Sequence, residues 1–524
     1  MSPTRSALVR PKLDYPRVPY HGLLRRTVER CPDKWATVFH DQMLTFRELE
    51  GLSNALAHGL RALGVGKGDR VALFMTNRPE YLVSFEATSK VGGTVTPINP
   101  AYHAEEVEYQ LNDSEARVLI VHEERYPIVA AIRASLTTVR HVLVIGGEAP
   151  AGTESWDALV RDHPATAPPE VAIDIERDLI ALPYSSGTTG LPKGVMLTHR
   201  NLVSNHLQCT SAARMTERDV LLLFLPFYHI YGSMLMGAAV ASGATNCIME
   251  RFEAMTALRI TQHYGVTLFY AVPPVLLALS QMPQLRDFDL SSVRYIMSGA
   301  APLPPEVARR MQEASGITVL QGYGLTEAAP LTQLNPVDDP AQVRLESVGL
   351  HVSDQEEKIV DPDDPSKELG AGEVGELIVR GPHVMQGYWK APEETARALR
   401  GGWLHTGDIA SKDADGFVYI VDRKKEMIKY KGFGIAPAEL EALLHEHPAV
   451  VDCAVVPRKD PDAGEIPRAF VVRAPGATVT EAELMEFVAS RVATYKHVRA
   501  VTFIDEIPKN PSGKILRRVL RERE

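Results

Sequence analysis

The run Tyr184-Ser185-Ser186-Gly187-Thr188-Thr189-Gly190-Leu191-Pro192-Lys193-Gly194 gathers hydroxyls, glycines and one lysine into a single short loop. Backbone N–H groups, hydroxyls and a point charge are the donors that phosphate oxygens need. The run is not a Walker P-loop. Pro192 stands five residues after Gly187, where the second glycine should be, and Gly194 rather than Ser or Thr follows Lys193. The plain alternative is a flexible surface turn. A second stretch, Gln321-Gly322-Tyr323-Gly324-Leu325-Thr326-Glu327, sets an aromatic face between glycines and a carboxylate four residues after it. The ring suits stacking on a base, and the carboxylate suits a magnesium ion near phosphates. Thr406-Gly407-Asp408 offers a carboxylate able to accept both hydroxyls of a ribose, or is an ordinary turn. Pro511-Ser512-Gly513-Lys514 follows the last strand-like run on a polar turn, where a lysine is ordinarily solvated.

Loops of this kind need a rigid scaffold. TFRELEGLSNALAHGLRALGVG has apolar residues at helical spacing and a terminal glycine, and DRVALFM after it reads as a short buried strand. PEYLVSFEATSKVG and TVTPI repeat the helix–strand alternation, which predicts α/β layers on a largely parallel sheet. DLIALP, just before the Ser/Gly/Thr loop, reads as a strand. From about Ser347 to Val421 short strand-like runs such as EVGELIVRG and GFVYIVD, broken by Gly, Pro and Asp, predict a β-rich subdomain. After Asp422, a helix near APAELEALLHEHPAV, strands CAVVPR and RAFVVRA, a helix TEAELMEFVASRVA and a strand VRAVTFIDEIP predict a separate small α+β domain. The expected division is therefore 1–422 and 423–524.

At 524 residues the chain exceeds the roughly 250–300 at which single cores stop growing, so more than one domain is required. Composition is that of a globular protein, 45% hydrophobic and 23% charged. The net charge of −10 argues against binding nucleic acid or anionic membrane in bulk, which needs a basic footprint. That total is uneven. Residues 423–524 carry 18 basic against 15 acidic side chains, a net +3, and residues 1–422 carry 38 against 51, a net −13. Cys31, Cys209, Cys247 and Cys453 lie far apart with no C-x-x-C pair, so reduced, buried thiols are expected rather than a disulfide frame or zinc site. The first twenty residues have basic positions but no apolar core, so no secretory signal and a cytoplasmic location are expected. The 30 uncharged residues between Asp219 and Glu250 are long enough to span a bilayer. Pro226, Tyr228, His229 and Tyr231 in their middle favour instead a buried strand, a loop and a core helix.

Taken in order, YSSGTTGLPKGVMLTH, FYHIYG, QGYGLTE, TGD, DRKKEMIKYKGF and PSGK closely resemble the adenylate-forming superfamily, which includes acyl-CoA synthetases, 4-coumarate:CoA ligases, luciferases and peptide-synthetase adenylation domains. The likeness runs from about Tyr20 to Arg518. It implies a carboxylate–CoA ligase that uses ATP, Mg2+ and coenzyme A: a carboxylic acid first becomes an acyl-AMP, and a thiol then displaces AMP. By this resemblance Ser185, Ser186, Gly187, Thr188, Thr189 and Lys193 would hold the β- and γ-phosphates, Thr326 the α-phosphate and Glu327 the magnesium. Tyr323, flanked by Gln321, Gly322 and Gly324, would lie against adenine beside Gly299 and Ala300. Asp408 and Arg423 would grip the ribose. Lys514 would reach the substrate carboxylate and the α-phosphate, where a compact ammonium stabilises developing charge. Lys425 would be the hinge about which the small domain turns, although by itself it is one charge in a basic run. The turn would bring Lys429, Gly432 and Gly434 to the site and open a channel for the thiol.

Two further features bear on substrate and acceptor. Positions matching the acid pocket of the 4-coumarate ligases are Tyr231, Met297, Ala300, Gly322, Gly324, Pro330 and Leu331, small or apolar throughout. They suit an aryl-propenoic acid or an alkyl chain and offer no charged partner to an amino acid. His229 would stand between acyl and thiol sites, or is a satisfied core histidine. Gly434 occupies the place where such ligases usually carry glutamine, so the adenylation half has the better support. An amine or another non-CoA acceptor therefore stays open, and a non-catalytic nucleotide-binding protein is the remote alternative. The oligomeric state is open as well, with a homodimer as the option.

Overall fold

The computed structural model describes residues 10–185, 192–424, 426–430, 433–460, 463–510 and 513–523. Two nine-stranded sheets form the large N-terminal part. One has at its centre the parallel strands Trp35–Phe39, Thr245–Ile248, Val220–Leu223, Leu268–Ala271, Tyr295–Ser298 and Val319–Gly324. Antiparallel pairs close both edges, Gln42–Thr45 at one and Leu331–Leu334 followed by Leu350–His351 at the other. The other sheet is built on the parallel strands Leu179–Ala181, Thr94–Pro97, Arg70–Phe74, Ala116–His122 and His141–Ile145. Lys193–Thr198 joins it antiparallel.

The local signals have identifiable causes. Thr45 caps the helix Phe46–Ala62 by accepting from Glu48 N at 3.2 Å, and Glu48 returns the bond to Thr45 N at 2.8 Å, which satisfies two orphan donors reciprocally. Pro79 opens the helix Pro79–Lys90. Its moment-free sequence suits its place, since every residue from Tyr81 to Lys90 is buried between layers. The uncharged stretch resolves into the strand Val220–Leu223, a loop through Pro226, and the helix Ile230–Ser242, buried from Ile230 to Val240. No helix among the described residues is long and apolar enough to cross a membrane. Cys209, Cys247 and Cys453 are buried thiols, whereas Cys31 is partly exposed; all four are free.

A third, antiparallel sheet contains Glu356–Val360, Val374–Arg380, Trp403–Lys412 and Val418–Arg423. Thr406-Gly407-Asp408 is thus part of a ten-residue strand rather than a turn. Gly407 takes a φ of +71° there, next to a register shift in the pairing, so the sequence signature of a turn marks a bulge. The fourth sheet, with Ile428–Tyr430, Phe433–Ile435, Val450–Asp460, Gly464–Arg473 and Ala500–Phe503, carries the helices Pro437–His445 and Glu481–Ala489 around a core of its own. The chain is thus a mixed α/β molecule with a large N-terminal and a small C-terminal domain.

Candidate active site

Ligands of open parallel sheets bind beyond the carboxyl ends of the strands. Here those ends deliver Val272, Gly299, Ala300 and the Gln321–Glu327 segment to one edge of the first sheet. The helix Ile230–Ser242 begins beside them. His229 is its N-cap, its Nδ1 accepting from Tyr231 N at 3.2 Å, which leaves the ring proton on Nε2. Although part of its surface faces the cleft, dense surroundings and the positive charge of Lys514 hold the imidazole down to about 4. The ring is neutral across the physiological range.

Tyr231, one residue on, is buried and donates to Met297 Sδ at 2.9 Å. Gly299 passes close to its ring, 3.2 Å from where a Cβ would stand. Met297 in turn fills the space above Gly322, whose Cβ would come within 2.5 Å of the Met297 methyl. Gly324 is required for a different reason: a Cβ there would lie 2.2 Å from the carbonyl oxygen of Pro330. Asn205, on the helix His199–Ala212, fastens the far side of the pocket by exchanging two hydrogen bonds, 2.8 and 3.0 Å, with the backbone of Leu331. Tyr231, Met297, Gly322, Gly324, Pro330 and Leu331 are therefore neighbours in one apolar region, whereas Ala300 is exposed just past the end of the strand Tyr295–Ser298. Gln321 is spent differently. Its side chain accepts from Leu303 N at 3.1 Å and donates to the carbonyl of Leu345, so it supports the loop instead of facing a ligand.

Polar residues form a second group. The Tyr323 hydroxyl donates to Asp408 Oδ2, and Arg423 Nε lies 3.5 Å from Asp408 Oδ1. Asp408 and Arg423 are cross-strand partners, which is why residues in separate motifs meet. Burial and the Asp408 charge push the Tyr323 phenol well above its ordinary value. Thr326 opens the 3-10 turn Thr326–Ala328, which carries Glu327. Glu327 Oε1 accepts from Tyr388 at 2.9 Å and from Ser185 at 3.4 Å, while Oε2 accepts no hydrogen bond among the described residues. Lys193 Nζ lies 3.1 Å from Glu394. Ser186, Gly187, Thr188, Thr189, Lys425 and Gly432 lie outside the described residues.

Lys514 reaches this cleft from the C-terminal domain. It sits in a tight turn in which Asn510 N donates to Lys514 O at 2.9 Å and Lys514 N to Asn510 Oδ1 at 2.8 Å. Gly513, with φ +80°, packs against Val272 and Pro274 at the end of a first-sheet strand. Lys429 is not brought to the cleft. It is exposed on a hairpin strand opposite Gly434, with its backbone N–H donated to Glu465 at 2.8 Å.

The AMP-binding enzyme family model matches residues 24–389, and the AMP-binding enzyme C-terminal domain model matches 439–514. The chain belongs to the AMP-binding enzyme family. It is 41% identical to 4-coumarate–CoA ligase 5 of Oryza sativa subsp. japonica, over 92% of this chain and 89% of that protein. Among solved structures it resembles the anthranilate CoA ligase AuaEII in complex with anthranoyl-AMP, with 30% identity and a TM-score of 0.88 over 99% of this chain and 98% of the other. It also resembles the amide bond synthetase McbA of Marinactinospora thermotolerans, with 27% identity and a TM-score of 0.86 over 96% and 99%. Membership accounts for the order of the loops along the chain. It leaves Tyr388 and Glu394 outside the motifs that sequence reading singled out. A Gly-Tyr pair before a proline, GYWKAP, was the one local signal, and it does not reveal which carboxylate the tyrosine meets.

Proposed function

We propose that the protein is an ATP-dependent, AMP-forming carboxylate–CoA ligase acting on an apolar acid, aryl-propenoic or alkyl. The observation that carries this reading is Lys514 beside His229, close enough for its charge to act on the imidazole, on a turn whose Gly513 packs against Val272 and Pro274. In the first step an oxygen of the substrate carboxylate bonds to the α-phosphorus and pyrophosphate leaves. The barrier is repulsion between anions, so fixed cations and positioning supply most of the catalysis. Lys514 neutralises charge at the carboxylate and α-phosphate, and Lys193 with the Ser185–Thr189 loop holds the outer phosphates. Asp408 keeps lone pairs for ribose hydroxyls beyond those used by Tyr323 and Arg423.

Glu327 fits a magnesium ion. One of its oxygens is tied to protein hydroxyls and the other accepts no hydrogen bond among the described residues. No group of three or more His, Cys, Asp or Glu side chains that could hold a metal ion occurs among the described residues, so a cation at Glu327 would be completed by phosphate and water oxygens, the usual coordination of Mg2+. Such an ion would supply charge neutralisation between phosphates. In the second step the CoA sulfur bonds to the acyl carbon and AMP leaves. Residues 423–524 turn about Lys425 for this step, bringing the Lys429–Gly434 hairpin inward and taking Lys514 away. Four free thiols suit the reducing cytosol.

Gly434 favours a second reading, transfer to an amine, because the polar side chain expected for the thioester step is missing. A panel of aryl and alkyl acids with ATP and Mg2+, with and without CoA, followed by mass spectrometry, separates the readings. Acyl-AMP should form without CoA and acyl-CoA with it. An adenylate that passes only to amines would establish the second reading, and no acid-dependent AMP from any acid would overturn both.

A further inference from the structure

Glu394 belongs to none of the motifs, yet its carboxylate is the ion-pair partner of Lys193, 3.1 Å from Nζ. The contact is built by fixed backbone. The strand Gly387–Tyr388 pairs with the strand Lys193–Thr198 in a defined register, Tyr388 opposite Val195 and Gly387 opposite Met196. Trp389 N donates to Gly194 O at 2.8 Å, directly after Lys193. The helix Pro392–Ala398 is then locked to that strand, because Thr395 Oγ1 accepts from Tyr388 N at 2.8 Å and donates to Ala391 O at 2.9 Å. Gly387 leaves no slack, since a Cβ there would lie 2.6 Å from Thr395 Cγ2. Glu394 is thus presented to Lys193 by two hydrogen-bonded elements, with both side chains partly exposed, at 21% and 33%. Its neighbour Glu393 faces Arg397 instead and is exposed.

We propose that Glu394 is a built-in counter-ion of Lys193 that occupies the phosphate-binding ammonium until a polyphosphate displaces it, and so sets the affinity for ATP but not for AMP. This rests on the reading of Lys193 as a ligand of the β- and γ-phosphates. An ammonium has three donors but one charge, so a retained carboxylate competes with incoming phosphate oxygens for it. AMP, with no β- or γ-phosphate, makes no such demand.

Calorimetric titration of the full chain with Mg2+ and either ATP without acid or AMP tests this in Glu394→Gln, Glu393→Gln, Lys193→Ala and the double variant of Glu394 and Lys193. Glu394→Gln should bind ATP about two- to fivefold more tightly, the range expected for a partly exposed ion pair, and AMP as the wild type does. Glu393→Gln should match the wild type, and the double variant should match Lys193→Ala. Unchanged or weaker ATP binding in Glu394→Gln overturns the proposal. So does an equal gain for AMP, an equal gain from Glu393→Gln, or a full gain in the Lys193→Ala background. Wild-type ATP affinity in Lys193→Ala would instead remove the phosphate role of Lys193 itself.

Discussion

Replacing Lys514 by alanine removes an ammonium that the C-terminal domain brings close to His229. An ammonium about 4 Å from a developing unit charge, at an effective dielectric near 20, contributes about 4 kcal/mol, equivalent to about a thousandfold in rate. Lys514 is half-buried, and water trims that figure, so the expected loss is about 10²- to 10³-fold in acid-dependent pyrophosphate release. A coupled pyrophosphate assay at saturating ATP and acid measures it. Transfer from pre-formed acyl-AMP to CoA should survive, since the ammonium is not used there. The structure adds a readout independent of turnover. The charge of Lys514 helps lower the His229 imidazole, after burial as the larger cause, so the variant should raise the His229 pKa above about 4 while leaving it below its ordinary 6.5. NMR titration of that ring in both proteins reads the shift. Wild-type pyrophosphate release, or a His229 titration unmoved by the substitution, would refute the placement of Lys514 in the cleft.

The two pocket glycines should respond differently to alanine. Gly322→Ala collides chiefly with the flexible tip of Met297, the Gln333 carbonyl oxygen standing farther off at 3.1 Å, and should fold while disfavouring bulky acids. Gly324→Ala meets the Pro330 carbonyl and should lose at least about 2 kcal/mol in denaturant unfolding; equal tolerance at both would contradict the assigned contacts. His199, His206 and His383 are fully enclosed and lowered by burial to about 4, 3 and 3. The unfolded chain takes up these protons near pH 6.5 and the folded chain only near 3–4, so stability falls as pH drops through that window. Glu86, raised by burial, works in the opposite direction. These three histidines less Glu86 contribute a slope of about 3 kcal/mol per pH unit between pH 6 and 5, and His21 and His229, held down to about 3 and 4, add to it in the same direction; urea midpoints that stay flat over that interval would exclude it.

Helix and strand positions in the N-terminal third and in the last hundred residues were legible because their causes are local. Thr45 and Glu48 form a capping box within one turn, and the strand Arg70–Phe74 is a continuous buried apolar run after Arg70. The Thr406–Asp408 signature misled for the same reason. A glycine beside an aspartate marks positive φ, but only the register of the neighbouring strands decides whether the chain reverses there or bulges and continues.

The sequence by itself determined the family, the order of its loops and the division of charge between a −13 body and a +3 tail. Short loops bind phosphate and base with their own backbone, so their chemistry is written in consecutive residues. Tertiary structure alone decided which side chains face one another. Tyr388 holds Glu327 across 61 residues, Ser185 reaches the same oxygen across 142, and Glu394 meets Lys193 through a strand pairing that no periodicity announces. Such contacts depend on the register between distant strands, which is set by the packing of the whole sheet and not by the residues that make the contact.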